Sequence, residues 1–353
     1  MAREFVLVRL YRLGDLAMAS ALVRAWKAEE PTHVTWIVAE DCAAFLHGQP
    51  YVNRLIVIPL DYIAEYKQRT VWREDEEALR FPVKEARAQF PALFAALPER
   101  ADRVVNLQFN AAAAMLAGAI AAPERAGPYA DADGERRVAD RWSQYYLASG
   151  TDVRYGITHW VDAFINIGEA SREDIRTEFF LRPDRDWCAH ALTELRGAPY
   201  FVVQAGAFEE QKRWPEDRFA EAAIAIAGQV GCGIVLTGGR ADKIIGLRVR
   251  RDLARANVPV VNLVGATNFH QLGTAIQGSM GVLSNDTFTQ HFASALGSPN
   301  VTVFLGSTSP WMTLGYREGN RAVCEDDASA PSVEKVVGAV LGVRSDYLTA
   351  TRV

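Results

Sequence analysis

The chain has 353 residues, about twice the length of a typical domain, and it is 49% hydrophobic and 23% charged. These values predict two folded domains and exclude extended disorder, fibrous repeats and a small stapled scaffold. The 38 basic and 43 acidic residues give a formal net charge of −5. This charge is too mild to indicate non-specific nucleic-acid binding, so nucleic acid is not an expected partner.

The cysteines and the N-terminus bear on the cellular compartment. The four cysteines are widely separated and form no CxxC pair, which is typical of reduced thiols in a cytoplasmic protein and not of a metal site. No apolar stretch approaches the length of a membrane span, and no signal peptide is predicted. Any membrane contact is therefore expected to be peripheral, at the inner face of the cytoplasmic membrane. The cysteines are Cys42, Cys188, Cys232 and Cys324.

The first half of the chain alternates short apolar runs with helical patterns. Residues 5–8 form the first predicted strand, and apolar residues then recur at helical spacing over 16–26. Strands so uniformly apolar are typical of a parallel sheet covered on both faces. Further elements are predicted as strands at 34–38, 55–58 and 104–107, a short helix over 42–46, a charged and partly helical stretch over 61–100, and an alanine-rich helix over 111–122.

A second series of strands and helices begins near Tyr200. The composition turns polar around Arg182, so the predicted domains are residues 1–182 and 183–353. Two tandem series predict two doubly wound α/β domains with ligands bound at the carboxyl ends of the strands, in the cleft between domains. The strands of the second series are predicted at 201–203, 234–236, 260–263, 281–283 and 301–304.

Gly14-Asp15 closes the loop after the first strand. In one interpretation Gly14 permits a tight turn and Asp15 caps the following helix. In the other, Asp15 places a carboxylate at the carboxyl edge of the sheet, where it acts as a general base. The local sequence favours neither.

The segment after the strand at 201–203 also permits two interpretations. Gly206 would let backbone N–H groups approach an anion, and Lys212 would add a positive charge for phosphate oxygens. Alternatively Lys212 is a solvated loop charge and Pro215 is the first residue of a helix, which the segment alone favours slightly.

Other strand ends of the second series carry polar residues and glycines. Asp286 and Thr287 follow the strand at 281–283 and could cap a helix or meet a ligand, and His291 lies one turn further on, where a packed or solvated role is more common. Four such strand ends would surround one crevice. Neither GxGxxG nor GxxxxGK[ST] is present, so a dehydrogenase of the usual Rossmann type and a P-loop enzyme are not expected. The DxD sequence Asp131-Ala132-Asp133 is interpreted as a surface turn.

Five blocks of the sequence resemble, in order and spacing, the signature blocks of glycosyltransferase family 9, the ADP-heptose:lipopolysaccharide heptosyltransferases. The resemblance implies a GT-B fold of two Rossmann-like domains, with the acceptor in the N-terminal domain and the nucleotide-sugar in the C-terminal one. It also implies an inverting reaction that needs no metal and no cofactor. The blocks are VLVRLYRLGDLAMASALVRAWK, QAGAFEEQKRWPEDRFAEAA, VLTGG, NLVGATNFHQLGTAI and LSNDTFTQHFASALGSPNVTVFLGSTSP.

The resemblance implies a role for individual residues. Asp15 matches the proposed base of the family's R-x-G-D motif, in which Arg12 and Gly14 would contact the acceptor, and Lys212 matches a catalytic residue of the diphosphate loop. The residues implied in donor binding are Gly206, Ala207, Lys212, Asp242, Gly265, Asp286, Thr287 and His291.

Two positions depart from the family pattern. Phe288 stands where the family usually has glycine after Asp-[Ser/Thr], and Gln204-Ala205-Gly206 replaces the usual His-Pro-Gly. We expect the Phe288 ring to turn away from the phosphates.

The function expected from the resemblance is transfer of heptose, or a related sugar, from a nucleotide to lipopolysaccharide core or another cell-surface glycan, with ADP-heptose as donor and a lipid-linked oligosaccharide or glycan as acceptor. A GT-B nucleotide-sugar epimerase or hydrolase, and a non-catalytic nucleotide-sugar-binding protein, are the alternatives. The epimerase or hydrolase would need acid/base pairs, of which only Asp15 and His291 are apparent. The non-catalytic alternative is favoured only by Phe288.

Overall fold

A computed structural model describes residues 2–67, 80–138, 140–152, 156–305, 309–326 and 329–350. The chain forms two compact units, Met1–Ile175 and Arg176–Val353. The polar shift near Arg182 lies a few residues beyond this division because residues 177–181 already belong to the second unit. There Phe179 donates its N–H to the Ala295 carbonyl at 3.3 Å and packs on Phe292.

The first unit contains a five-stranded parallel sheet in the order β3-β2-β1-β4-β5 and an antiparallel pair, β6-β7. The central strands are almost fully buried, which explains their unbroken apolar sequence. The strands are β1 (Arg3–Val8), β2 (Thr32–Ala39), β3 (Arg54–Ile58), β4 (Arg103–Asn106), β5 (Glu124–Ala126), β6 (Pro128–Ala130) and β7 (Arg136–Val138).

Helices of the first unit include those predicted at 16–26 and 42–46. The predicted helix over 111–122 is wrong at its C-terminal end, because α6 stops at Gly118, where a Cβ would lie 1.8 Å from the Ala130 carbonyl oxygen. In the stretch predicted as charged and partly helical, residues 68–79 lie outside the described part of the chain. The helices are α1 (Leu13–Glu29), α2 (Glu40–Leu46), α3 (Leu60–Tyr66), α4 (Val83–Gln89), α5 (Pro91–Ala96), α6 (Ala111–Gly118), α7 (Arg141–Thr151) and α8 (Trp160–Ile167).

The Asp131-Ala132-Asp133 sequence forms the turn between β6 and β7, which confirms its interpretation. Asp131 Oδ1 accepts hydrogen bonds from the N–H groups of Asp133 at 3.0 Å and Glu135 at 2.9 Å. This carboxylate is therefore engaged in holding the hairpin.

The second unit contains a six-stranded parallel sheet in the order β10-β9-β8-β11-β12-β13. The chain starts in the middle at β8, runs outwards to β10, and returns to the other side at β11, as in a doubly wound sheet. All five predicted strands are confirmed, and β13 is additional. The strands are β8 (Tyr200–Gln204), β9 (Gly233–Leu236), β10 (Val260–Asn262), β11 (Val282–Asn285), β12 (Asn300–Val303) and β13 (Arg321–Val323).

Helices cover both faces of this sheet and bury an apolar core that includes Trp214, Phe219 and Leu253. No helix in the described ranges is both long enough and apolar enough to cross a membrane. The helices are α9 (Arg185–Ala191), α10 (Glu216–Val230), α11 (Lys243–Arg255), α12 (Phe269–Gln277), α13 (Phe288–Ala295), α14 (Pro310–Thr313) and α15 (Val333–Ala350), with 3-10 turns at Thr193–Leu195, Glu210–Lys212 and Arg240–Asp242.

Candidate active site

Asp15 lies at the carboxyl end of β1, in the first turn of α1. The helix begins at Leu13, so Arg12 and not Asp15 holds the cap position, and Gly14 already lies inside the helix. The left-handed residue of the loop is Arg12, with φ of 69°. The helix-cap interpretation of Gly14 and Asp15 is therefore wrong. An exposed arginine in this rare backbone conformation is typical of a functional loop.

The Asp15 carboxylate forms an ion pair with the guanidinium of Arg9, and both side chains are almost completely buried. The Arg9 guanidinium also donates to the Leu107 carbonyl and lies 3.4 Å from the Tyr146 hydroxyl. Burial opposes the positive charge of Arg9, but the neighbouring carboxylate outweighs it and raises the pKa of Arg9. Burial also raises the pKa of Tyr146 to about 12. Asp15 is therefore held in one orientation by a fixed cation.

Arg9 is a residue that the sequence reasoning missed. Its signal was a charged residue directly after the apolar run of β1, where a continued strand would bury it. Buried arginines are rare unless they are paired, so its position directly after the apolar run of a central strand indicated a partner nearby.

In the second unit, the residues proposed for donor binding follow four neighbouring strands. Because β10, β9, β8 and β11 are parallel and adjacent, their carboxyl ends meet at one edge of the sheet. Gly206 and Ala207 follow β8, Asp242 follows β9, Gly265 follows β10, and Asp286 follows β11. The fold thus places the proposed set on one edge.

Asp242 and Gly206 are in direct contact. A Cβ on Gly206 would lie 2.2 Å from Oδ1 of Asp242, so only glycine fits beside this buried carboxylate. Asp242 Oδ2 accepts the N–H of Gly239 at 2.9 Å. This carboxylate therefore joins the loops after β8 and β9, and its proposed contact with a ribose stays a prediction.

Gly265 is held against the same loops. Its φ is 69°, in the left-handed region that favours glycine, and its N–H donates to the Gly238 carbonyl at 2.9 Å. A Cβ there would lie 3.0 Å from Cε of Lys243. Gly265 thus lets the segments that follow β9 and β10 pack closely at the sheet edge.

Lys212 and Asp286 form an ion pair with 3.1 Å between Nζ and Oδ2, and their side chains are 15% and 5% exposed. Glu209 lies 3.9 Å from the same ammonium. Lys212 is therefore not a solvated loop charge, and that interpretation is wrong. The same interpretation placed Pro215 as the first residue of a helix, but Pro215 is at the cap position of α10. Because water screens a shielded ammonium less than an exposed one, the Lys212 ammonium can attract a bound anion more strongly.

The loop that carries Lys212 is clamped to β11 by Asn285. Asn285 Nδ2 donates to the Ala205 carbonyl at 2.8 Å, and its Oδ1 accepts the N–H of Trp214 at 2.9 Å. The carbonyl of Ala207 accepts a hydrogen bond from Arg213 Nε at 2.7 Å. The loop backbone is thereby fixed before any ligand binds.

Gln290 is a second residue that the sequence reasoning missed. Its buried amide donates to Asp286 Oδ1 at 2.5 Å and accepts from Thr302 Oγ1 at 3.1 Å and from the N–H of Gly315 at 3.0 Å. The available signal was a glutamine in the first turn of the helix that follows Asp286, close enough along the chain for its amide to reach back to that carboxylate. Gln290 therefore orients the carboxylate that faces Lys212.

Three buried hydroxyl groups near this edge have no hydrogen-bond partner within the described residues: Thr237, Ser284 and Thr287. Thr237 lines a small cavity with Gly206 and Asp242. Thr287 is the cap residue of α13 but makes no side-chain cap bond. Buried hydroxyls are normally paired, and Thr237 and Thr287, which follow β9 and β11, are therefore candidates to bind a polar ligand, whereas Ser284 lies within β11.

Phe288 begins α13, and its ring packs away from the start of the helix. The ring stacks on Phe292 with centroids 5.0 Å apart and meets the edge of Phe269 at 5.7 Å. This packing supports the expectation that the ring leaves the phosphate position open. His291 is buried on the same helix, and its donor contact stays a prediction.

Within the described ranges, no group of three or more His, Cys, Asp or Glu side chains is arranged to hold a metal ion. All four cysteines are free, and three of them are buried. Residues 306–308 of the last signature block lie outside the described ranges.

Comparison with known proteins gives one family. The family model described as Glycosyltransferase family 9 (heptosyltransferase) matches residues 91–338. The chain is 35% identical over 128 residues to lipooligosaccharide heptosyltransferase 2 of Haemophilus ducreyi, in a match that covers 35% of this chain and 36% of that protein. It is 26% identical over 311 residues to lipopolysaccharide heptosyltransferase 2 of Salmonella typhimurium, covering 85% of this chain and 82% of that protein. The first match thus spans about a third of its relative.

A solved structure, the ADP-heptose lipopolysaccharide heptosyltransferase II of E. coli, has a TM-score of 0.70 to this chain at 18% sequence identity. The likeness covers 98% of this chain and 99% of that chain. At this identity the likeness concerns the fold, and it confirms the predicted GT-B class.

Proposed function

Since the chain belongs to glycosyltransferase family 9, we propose that it transfers heptose, or a related sugar, from an ADP-sugar to lipopolysaccharide core or another cell-surface glycan. The observation that carries the proposal is the edge of the second sheet, where Lys212, Asp286 and unpaired buried hydroxyls meet. The names of the relatives supply the sugar and the acceptor class.

The donor is held by its diphosphate in this proposal. Lys212 offers a shielded ammonium, and the start of α13 offers backbone N–H groups and the positive end of the helix dipole. Gly206 and Gly265 keep the backbone close to the ligand. Thr237 and Thr287 supply hydroxyls that have no hydrogen-bond partner among the described residues.

The reaction we propose is an inverting displacement. The acceptor hydroxyl oxygen attacks the anomeric carbon while the bond from that carbon to the diphosphate oxygen breaks, and its electron pair leaves with the nucleoside diphosphate. Asp15 accepts the hydroxyl proton, a contribution of about 10²- to 10⁴-fold in rate. Lys212 and the backbone N–H groups stabilise the charge on the leaving oxygens without a metal.

The acceptor side is assigned to the first unit in this proposal. Arg12 and Gly14 lie beside Asp15 at the carboxyl end of β1. The exposed Arg12 would bind an anionic group of a lipid-linked glycan. We propose a cytoplasmic protein that meets this acceptor peripherally at the inner face of the membrane.

The test is product formation from ADP-, UDP- and GDP-linked sugars, with and without a glycan acceptor. We expect heptosylated acceptor from ADP-heptose only when acceptor is present. Free heptose formed at the same rate without acceptor would indicate a hydrolase, and an altered nucleotide-sugar would indicate an epimerase. Tight donor binding with no product from any donor would indicate a non-catalytic protein.

A further inference from the structure

Helix α11 is predominantly positively charged, although the whole chain has a negative net charge. Between Lys243 and Arg255 it has five cations and one acidic residue, Asp252, whereas the chain has a formal net charge of −5. The helix is therefore a local basic element on an acidic protein. The cations are Lys243, Arg248, Arg250, Arg251 and Arg255.

The outer face of α11 also exposes large apolar side chains. Ile244 is 63% exposed and Leu247 is 57% exposed. They are three residues apart and so lie on the same helix face as Arg251. The inner face packs through Gly246, Val249 and Leu253. Because the helix has its own buried face, the exposed pair is not needed for the core.

The cations of this face are incompletely neutralised. Lys243 and Arg250 have no ion-pair partner among the residues that the structure describes, and Arg251 and Arg255 share the single carboxylate of Asp252. An open groove of about 660 Å³ runs beside the helix and is lined by Leu247, Arg250, Arg251 and Arg196, with Glu194 at its edge. The groove thus presents more positive than negative groups next to an exposed leucine.

We propose that the outer face of α11, with Arg196, is a docking surface for an anionic lipid bilayer. Lipid phosphates are paired by Arg196, Arg250 and Arg251, and Ile244 and Leu247 enter the headgroup region, as in interfacial amphipathic helices. Charge complementarity selects this partner, because the surface combines cations with apolar side chains that a soluble anion would leave exposed. This surface would be the site of the peripheral membrane contact in the proposed function, and the inference rests on that function.

Vesicle co-sedimentation of the full chain tests this surface without donor or acceptor. We expect binding to phosphatidylcholine vesicles that contain phosphatidylglycerol, weaker binding at high salt, and little binding to phosphatidylcholine alone. The double variant R250Q/R251Q should bind at least about fivefold more weakly, since each cation near an anionic surface contributes about that factor. I244S/L247S should also bind more weakly but keep the salt dependence.

The matched control is R100Q/R185Q, which removes two exposed arginines on other elements and changes net charge equally. It should bind as the unaltered chain does. Equal binding to neutral vesicles, equal loss in the control, or no loss in either α11 variant would overturn the proposal. Transfer to a water-soluble acceptor fragment should be unchanged in R250Q/R251Q. This transfer assay tests the proposed function and vesicle binding tests the surface, so the two can fail independently.

Discussion

The ion pair of Arg9 and Asp15 is unusual for a proposed general base, because both groups are buried. Removing two charges from water is costly, and a buried pair of this kind is seldom retained for stability alone. Its benefit here is orientation. The guanidinium is fixed by the Leu107 carbonyl and in turn fixes the carboxylate. Arg9 is therefore a positioning residue for Asp15.

Variants of Arg9 test this positioning role. Arg9→Gln should destabilise the fold by about 3–5 kcal/mol, because it leaves the Asp15 charge buried and unpaired. The double variant Arg9→Gln/Asp15→Asn should recover part of that loss, which thermal unfolding measures. Arg9→Lys should retain the charge but lower kcat more than it raises KM, because the fork geometry is lost. Normal kcat in a folded Arg9→Gln chain would remove Arg9 from the mechanism.

Lys212 belongs to the donor side in the proposed function. Lys212→Ala should weaken ADP binding by about 10- to 100-fold, the loss of one hydrogen bond between charged groups, and should also lower kcat. Calorimetry with ADP measures the affinity. Arg185→Gln, an exposed charge of the same unit, serves as the control. Unchanged affinity in Lys212→Ala would exclude Lys212 from the donor site.

At this scale the sequence located Asp15, Lys212 and Asp286 but not what they touch. The partners lie far along the chain: Leu107 is 98 residues from Arg9, and Asp286 is 74 residues from Lys212. Local spacing contains no information on such contacts. The sequence also left open whether Asp15 is a helix cap or a general base, and that Arg12 holds the cap position required the structure.

At the scale of elements, α13 shows how the fold accommodates an aromatic residue at a proposed phosphate site. The Phe288 ring packs against the rings of Phe292 and Phe269. It therefore lies in the aromatic contact between α12 and α13. In the proposed function the diphosphate meets the backbone at the start of α13 and not the Phe288 ring.

Phe288→Gly tests whether the ring obstructs the donor. We expect donor affinity to change by no more than about tenfold, or ~1.4 kcal/mol, with a loss of stability of up to about 3 kcal/mol from the lost ring packing. Phe288→Ala, which keeps helix propensity, separates the effect of the ring from that of backbone freedom. A gain in donor affinity of several orders of magnitude in Phe288→Gly would contradict the account.

The long apolar strands were predictable because a strand buried on both faces has an unbroken apolar sequence. The strands β5, β6, β7 and β13 were missed because each has only three residues, too few to show a period, and contains a charged residue or a proline. The equally short β10 was predicted because it begins with two valines. The end of α6 was missed because the contact of Gly118 with the Ala130 carbonyl is tertiary.

At the scale of the whole molecule, the repeated βα series predicted two doubly wound sheets and the structure has both. In each sheet the order extends to both sides of a central strand, β1 or β8, as in a doubly wound sheet. The division after Ile175 could not be read from composition. It is set by Phe179, which packs with α13 ahead of the polar stretch at Arg182.

Metal independence is a property of the whole enzyme in the proposed function. Turnover should survive treatment with EDTA, because Lys212 and backbone N–H groups take the place of a cation at the diphosphate. Coupled assays with a chelator and with added Mg²⁺ or Mn²⁺ measure this. Activity that is lost with EDTA and restored by one of these ions would exclude the mechanism.

The central claim is that the chain transfers a sugar from a nucleotide with Asp15 as base. Its most direct test is single-turnover transfer of labelled heptose from ADP-heptose to a glycan acceptor by the natural chain and by Asp15→Asn. We expect transfer by the natural chain and a rate at least about 100-fold lower in Asp15→Asn, with the donor still bound. No transfer by the natural chain, or an equal rate in Asp15→Asn, would contradict this claim.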